Sequence, residues 1–215
     1  MAAITNYSTL QQSVTQYLVN SDEAGMFDTF LGLAENRFNS ELRVREMAGG
    51  TLTAAQTEST KDLGSDFIEA LAVTLGSSGS ISYLPPQKFF GLEAANSDTS
   101  GTPEFYTIVG STMHFAPYGG SFTPTIRYYK TITPLSSSVA TNELMPKAAN
   151  LYLYAVLLEA QPFLNEPDRI PEFQTFYDRA KESLLSADAR ARFRPGVGQR
   201  MRANGVTNDG VFRIP

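Results

Sequence analysis

The chain has 215 residues, no cysteine, no tryptophan and a single histidine. These counts exclude a disulfide scaffold, a thiol nucleophile, an iron–sulfur cluster, a cysteine-based zinc site and any two-histidine metal motif. The length implies one domain or one domain with a modest insertion, no run approaches the roughly 20 apolar residues of a membrane span, and the first residues lack the positive region of a secretory signal. The expected class is a soluble globular protein made in the cytoplasm.

The net charge of −5 is unevenly distributed. Residues 190–215 hold six arginines, Arg190, Arg192, Arg194, Arg200, Arg202 and Arg213, against one acid, Asp209, which makes +5. Residues 1–189 hold 11 basic and 21 acidic residues, which makes −10. An acidic body with a short basic tail suggests an interaction arm, directed at an acidic protein surface or at nucleic-acid phosphate.

Tyr7, Leu10, Val14, Tyr17 and Leu18 recur on one helical face and predict a helix over 7–20, with Asn6 as its N-cap. Ser21 and Asp22 are positioned to cap the next helix, over 23–45. Its stripe is Phe27, Leu31, Ala34, Phe38 and Leu42, while Glu35, Asn36, Arg37, Asn39 and Glu41 take the other faces. Arg43 and Arg45 fall in its last turn, and Gly49-Gly50 stops it.

From 51 to 140 Thr, Ser, Gly and Pro dominate and apolar residues come in short runs. Ala70–Leu75 reads as a strand, Gly76–Ser80 as a turn and Ile81–Leu84 as the returning hairpin partner. A short helical turn follows over 86–93, then a polar loop over 96–102. Phe105–Val109, Thr112–Phe115 and Thr125–Lys130 complete an antiparallel series of four to six strands.

Helical spacing returns near Leu144, with Pro146 in the first turn. Ala148, Leu151, Tyr154, Ala155 and Leu158 line one face, and Leu153 and Leu157 make the helix apolar on others, so it belongs at the centre of a bundle or an oligomer. A last helix over 169–188 carries Phe173, Phe176, Tyr177, Ala180 and Leu184. Beyond Ala191, Pro195 and the glycines 196, 198, 205 and 210 leave no period. Val211, Phe212, Arg213 and Ile214 alternate like a strand that could join a partner's sheet edge or fill a pocket. The expected fold class is α+β: a helical bundle of about four helices (1–50 and 143–189), an inserted small antiparallel β module (51–142) and an extended basic arm (190–215).

The search for chemistry returns little. His114 lies in a strand with no Asp/Ser pattern beside it and reads as structural. No nucleophile elbow, phosphate-binding loop, dinucleotide fingerprint or calcium loop occurs. The carboxylate pairs Asp22/Glu23 and Asp62/Asp66 fall at a helix cap and in a loop, and paired-acid glycoside hydrolysis has nothing that selects it. Tyr128-Tyr129, flanked by Arg127 and Lys130, has two readings, a stacking platform for single strands or a strand with one face in and one out. The expectation is a non-enzymatic protein with no cofactor and no metal.

Several stretches nevertheless carry a resemblance. Phe30–Met47 (Phe-Leu-Gly-Leu-Ala-Glu-Asn-Arg-Phe-Asn-Ser-Glu-Leu-Arg-Val-Arg-Glu-Met) resembles the second helix of tailed-phage head–tail adaptor (connector, head-completion) proteins. Asp62–Glu69, Gly101–Gly110 with Met113–Pro117, Ile126–Leu135 and Leu151–Ala160 resemble that family's further motifs in the expected order. Gly64-Ser65 stands where the family often has proline, and Asn150 where an acid is common. The resemblance covers about residues 5–195. It implies a virion structural protein of the viral neck, in a homo-oligomeric ring commonly of twelve subunits. Such a ring joins the portal protein of the head to tail or nozzle proteins and lines the channel through which DNA is ejected, without sequence-specific binding and without a membrane role. The arm residues Arg190, Arg192, Arg194, Arg200, Arg202, Val211, Phe212, Arg213 and Ile214 are then the expected portal-docking set. The alternatives are a nucleic-acid-binding module using the arginine-rich arm, and a cell-wall-degrading virion enzyme.

Overall fold

A computed structural model describes residues 3–18, 25–53, 55–76, 79–95, 101–164 and 167–192. Helix α1 (Tyr7–Thr15) opens on a capping box. Asn6 Oδ1 accepts the Thr9 amide at 2.9 Å, and Thr9 Oγ1 accepts the Asn6 amide at 3.1 Å. Ser21 and Asp22 lie outside the described residues.

Helix α2 (Phe27–Glu41) buries Phe27, Phe30, Leu31, Ala34 and Phe38, the stripe expected of it. It stops four residues short of the expected end. Leu42 is extended, with φ −101° and ψ 141°. Leu42 and Val44 are both fully buried while Arg45 is exposed, and alternating burial needs a period of two, which a helix does not supply. Arg43 is more than a dipole partner here. Its Nη1 donates to the carbonyls of Asn39 (2.9 Å) and Leu42 (2.6 Å), satisfying acceptors that the helix end exposes.

Helix α4 (Met145–Leu164) packs against α1, α2 and α5 (Ile170–Arg192). Leu151, Tyr152, Ala155, Val156, Leu157 and Ala160 are all buried, which explains why its sequence is apolar on several sides. Asn142 Oδ1 accepts the amides of Leu144 (3.2 Å) and Met145 (3.0 Å), and the non-helical Ala148 (φ −132°, ψ 33°) kinks the first turns. Helix α5 runs four residues past its expected end.

The β region forms two four-stranded sheets. The first has the order β1 (Gly50–Thr53), β8 (Pro124–Lys130), β3 (Phe67–Leu75), β4 (Gly79–Ser80). The second has the order β2 (Thr60–Asp62), β7 (Thr112–Ala116), β6 (Phe105–Val109), β5 (Ser82–Tyr83). The expected hairpin forms only at its base. β4 pairs with Thr74 and Leu75, then the chain crosses at the buried Ile81 into the second sheet, where β5 runs parallel to β6. Val73, Leu75, Ile126 and Tyr128 from the first sheet and Tyr106, Met113 and Phe115 from the second share one apolar cluster. Gly50, opposite Tyr128, has no room for a Cβ, because the tyrosine ring occupies the space.

A helix of ten residues, α3 (Pro86–Ala95), packs on β6. Its Phe89 is buried, and Phe89 and Phe90 set their ring edges against His114. On the opposite side, Tyr129 of β8 belongs to the apolar cluster of the helices. The described molecule is therefore a mixed α+β structure with five helices and two small sheets, and β8 contributes to both cores.

Candidate interaction surface at the end of the last helix

Tyr129 is where the helical core, the β region and the end of α5 meet. Arg192, in the last turn of α5, donates from Nη1 to Tyr129 Oη (2.8 Å) and from Nη2 to the Arg43 carbonyl (3.0 Å). Its Nε lies 2.6 Å from Asp188 Oδ2, and its guanidinium sits 5.8 Å from the centre of the Tyr129 ring. Asp188 is itself buried, and its other oxygen accepts the Arg45 amide at 3.0 Å. One arginine thus ties α5 to β8 and to the 42–47 segment.

Next to this anchor an open groove of about 700 Å³ runs between α4 and α5. Leu151, Leu184 and the stacked pair Tyr154–Phe176 (centroids 5.1 Å apart, planes at 28°) line its apolar part. Arg45, Lys147 and Arg179 line its cationic part. The acids there are covered. The Glu46 side chain is 7% exposed, paired with both Arg45 and Lys147. Burial works against its ionisation, but hydrogen bonds from Lys147, from its own backbone amide and from Arg45, with the Lys147 charge, outweigh that and hold its carboxyl below the usual range. Asp188 is closed over by Arg192. The groove therefore shows solvent mainly positive charge around an apolar floor.

Of the nine expected arm residues, Arg190 and Arg192 lie on α5 and not in an extended segment. Arg190 reaches back along the helix, its side-chain Nε donating to the Ser186 carbonyl at 3.1 Å. Arg194, Arg200, Arg202, Val211, Phe212, Arg213 and Ile214 lie outside the described residues.

The other chemical candidates are used structurally. Tyr128 and Tyr129 are both buried and offer no stacking platform; Tyr128 Oη donates to Asp66 at 3.2 Å. Asp62 accepts from Thr112 Oγ1 at 3.1 Å. Asp22 and Glu23 lie outside the described residues. Among the described residues, no group of three or more His, Asp or Glu side chains is placed to hold a metal ion, and no helix is long and apolar enough to cross a membrane.

Sequence reasoning missed Asp188 and the acceptor role of Glu35 and Asn39. All three are polar residues at positions that a pattern assigns to solvent. Asp188 at i−4 from Arg192 is a pairing signal that could have extended the helix.

A family model described as SU10 adaptor protein matches residues 5–201 of the chain. No curated protein matches it.

Proposed function

The chain belongs to the SU10 adaptor protein family, structural proteins of the phage head–tail junction, and from that premise we propose that it forms the ring that joins the portal of the head to the tail. As a phage adaptor it is a virion component that interacts with other head or tail proteins. The finer reading is a homo-oligomeric ring of twelve copies in the neck. The helical parts (1–50 and 143–189) and the β module (51–142) form its wall, and the segment that follows α5 docks on the portal. DNA passes through the central channel, and the −10 charge of residues 1–189 disfavours gripping phosphate there.

One observation carries this reading. The family match runs through both cores and on to Met201, nine residues past the end of α5, so the start of the arm belongs to the shared architecture. Arg192 supports it further by fixing the point from which that segment departs. Mixing the purified chain with its cognate portal protein and weighing the product by light scattering tests the proposal. A complex carrying many copies per portal is the expected result. A chain that stays at 23.5 kDa and leaves the portal bare would refute it.

A further inference from the structure

The two faces of α5 differ in a way that suits head-to-tail packing of copies. One face, with Phe176, Arg179, Ala180 and Leu184, lines the groove against α4. The far face presents Asp178, Glu182 and Leu185. Leu185 is 38% exposed, a large apolar residue on the outside of the molecule. The helical period places 178, 182 and 185 on one side and 176, 180, 184 and 187 on the other. Lys181, on the acidic side, is held by Glu41 at 2.6 Å, and on the groove side Arg45 and Lys147 share the single carboxylate of Glu46, which leaves the ridge net acidic and the groove net cationic. Glu182 makes no ion pair among the described residues, and neither does Arg179 across the helix.

Resting on the ring reading above, we propose that the α4–α5 groove of one copy receives the Leu185 ridge of the next copy. Leu185 enters the apolar floor at Tyr154 and Phe176. Asp178 and Glu182 face the cationic rim of Arg45, Lys147 and Arg179. A ridge and a groove on opposite sides of one helix form a heterologous contact, and a heterologous contact closes into a ring or runs on as a filament; an isologous dimer needs one self-complementary patch instead. The charges also set direction, since two grooves repel each other and so do two ridges.

The chain has no cysteine, which makes a cross-linking test clean. Ser183 lines the groove and Leu185 forms the ridge, and on one helix they point apart. The double variant Ser183→Cys/Leu185→Cys, oxidised on the cognate portal, is expected to give a ladder of covalent species beyond the dimer on a non-reducing gel. Each single variant is expected to give none. In parallel, Leu185→Asp and Glu182→Lys are expected to lower the number of copies held per portal, with unchanged melting of the free chain because both residues are on the surface. If the wild-type chain assembles while these variants assemble equally, or the double-cysteine ladder is missing, this interface is overturned and the ring reading stands. If the wild-type chain fails to assemble even on the portal, the ring reading falls and this interface falls with it.

Discussion

Glu35 accepts the backbone amide of Leu135 at 2.9 Å, across a hundred positions of sequence. One helical turn on, Asn39 Oδ1 accepts the amide of Ile132 at 2.9 Å. The two side chains stitch the segment between β8 and α4 onto the face of α2. Asn142 completes the seam by donating from Nδ2 to the Thr133 carbonyl and to the Tyr152 hydroxyl, both at 2.7 Å. Glu35 and Asn39 of the Ala-Glu-Asn-Arg-Phe-Asn stretch thus hold a distant strap, while Asn36 between them faces solvent.

The Glu35 carboxyl is 5% exposed. Burial pushes its pKa up to about 7, with the Leu135 amide and the Tyr152 hydroxyl opposing the shift. Below the ordinary carboxylate range the group is neutral folded or unfolded. As pH rises from there to about 7, the unfolded chain ionises freely and the folded chain resists, so stability is lost across that window. Glu35→Gln removes the ionisation and keeps an oxygen for Leu135. The melting temperature of Glu35→Gln minus that of wild type should become more positive from pH 5 to pH 8. A difference that stays flat across that range contradicts the assignment.

Asp188→Ala removes the acceptor of a backbone amide and the ion-pair partner of Arg192 in one change. Leaving a partly buried amide unpaired costs about 1–3 kcal/mol. Urea titration should show a lower midpoint with unchanged slope, and amide hydrogen exchange should quicken at Arg45 in particular. Asp188→Asn keeps one acceptor oxygen and should fall between the two.

Gly50→Ala places a methyl group in the space of the Tyr128 ring. That ring is held by its bond to Asp66 and by the tilted ring of Phe67, 5.2 Å away with planes at 39°, so it has little freedom to yield. Overpacking of this kind costs about 1–3 kcal/mol. Thermal melting should show opposite signs for Gly50→Ala and for Gly32→Ala, a position inside α2 where nothing stands within 4 Å and alanine favours the helix.

Two truncations separate the arm from the body. Ending the chain after Arg192 keeps the bonds of the α5 terminus among the described residues and should leave the melting temperature within about 2 °C of wild type. Ending it after Ala189 also removes Arg192, and should lower stability by about 1–2 kcal/mol through the lost bonds to Tyr129 and the Arg43 carbonyl. Both should fail to pull down the portal. Portal capture by the chain ending at Arg192 would locate the docking residues elsewhere.

Much of the helical architecture was legible in the sequence because burial there follows a period. The stripe of α2 and the all-round apolarity of α4 are read directly from spacing, and Asn6 is a cap by chemistry. What the pattern hid was set by tertiary contacts. Nothing local ends α2 at Glu41; the burial of Leu42 and Val44 does, once Asp188 and Arg43 tie up the turn. The turn after Leu75 looks like a hairpin, yet the chain leaves for the other sheet at Ile81, a choice made by the shared apolar cluster. Of the candidate site, charge asymmetry located a basic end. It could not show that Arg190 and Arg192 are helical, because the i−4 partner of Arg192 sits in a stretch that otherwise reads as solvent-facing.

Arg192 also determines how the end of the last helix is coupled to the rest of the molecule. Its bonds to Tyr129, to the Arg43 carbonyl and to Asp188 hold the last turn of α5 in addition to that turn's own hydrogen bonds. The guanidinium joins a strand, a loop and the helix itself. The strand is β8, which is clamped between β1 and β3 and shared by both cores. The end of the last helix is therefore anchored in a strand that both cores hold, and the two cores and the helix end are coupled through one side chain.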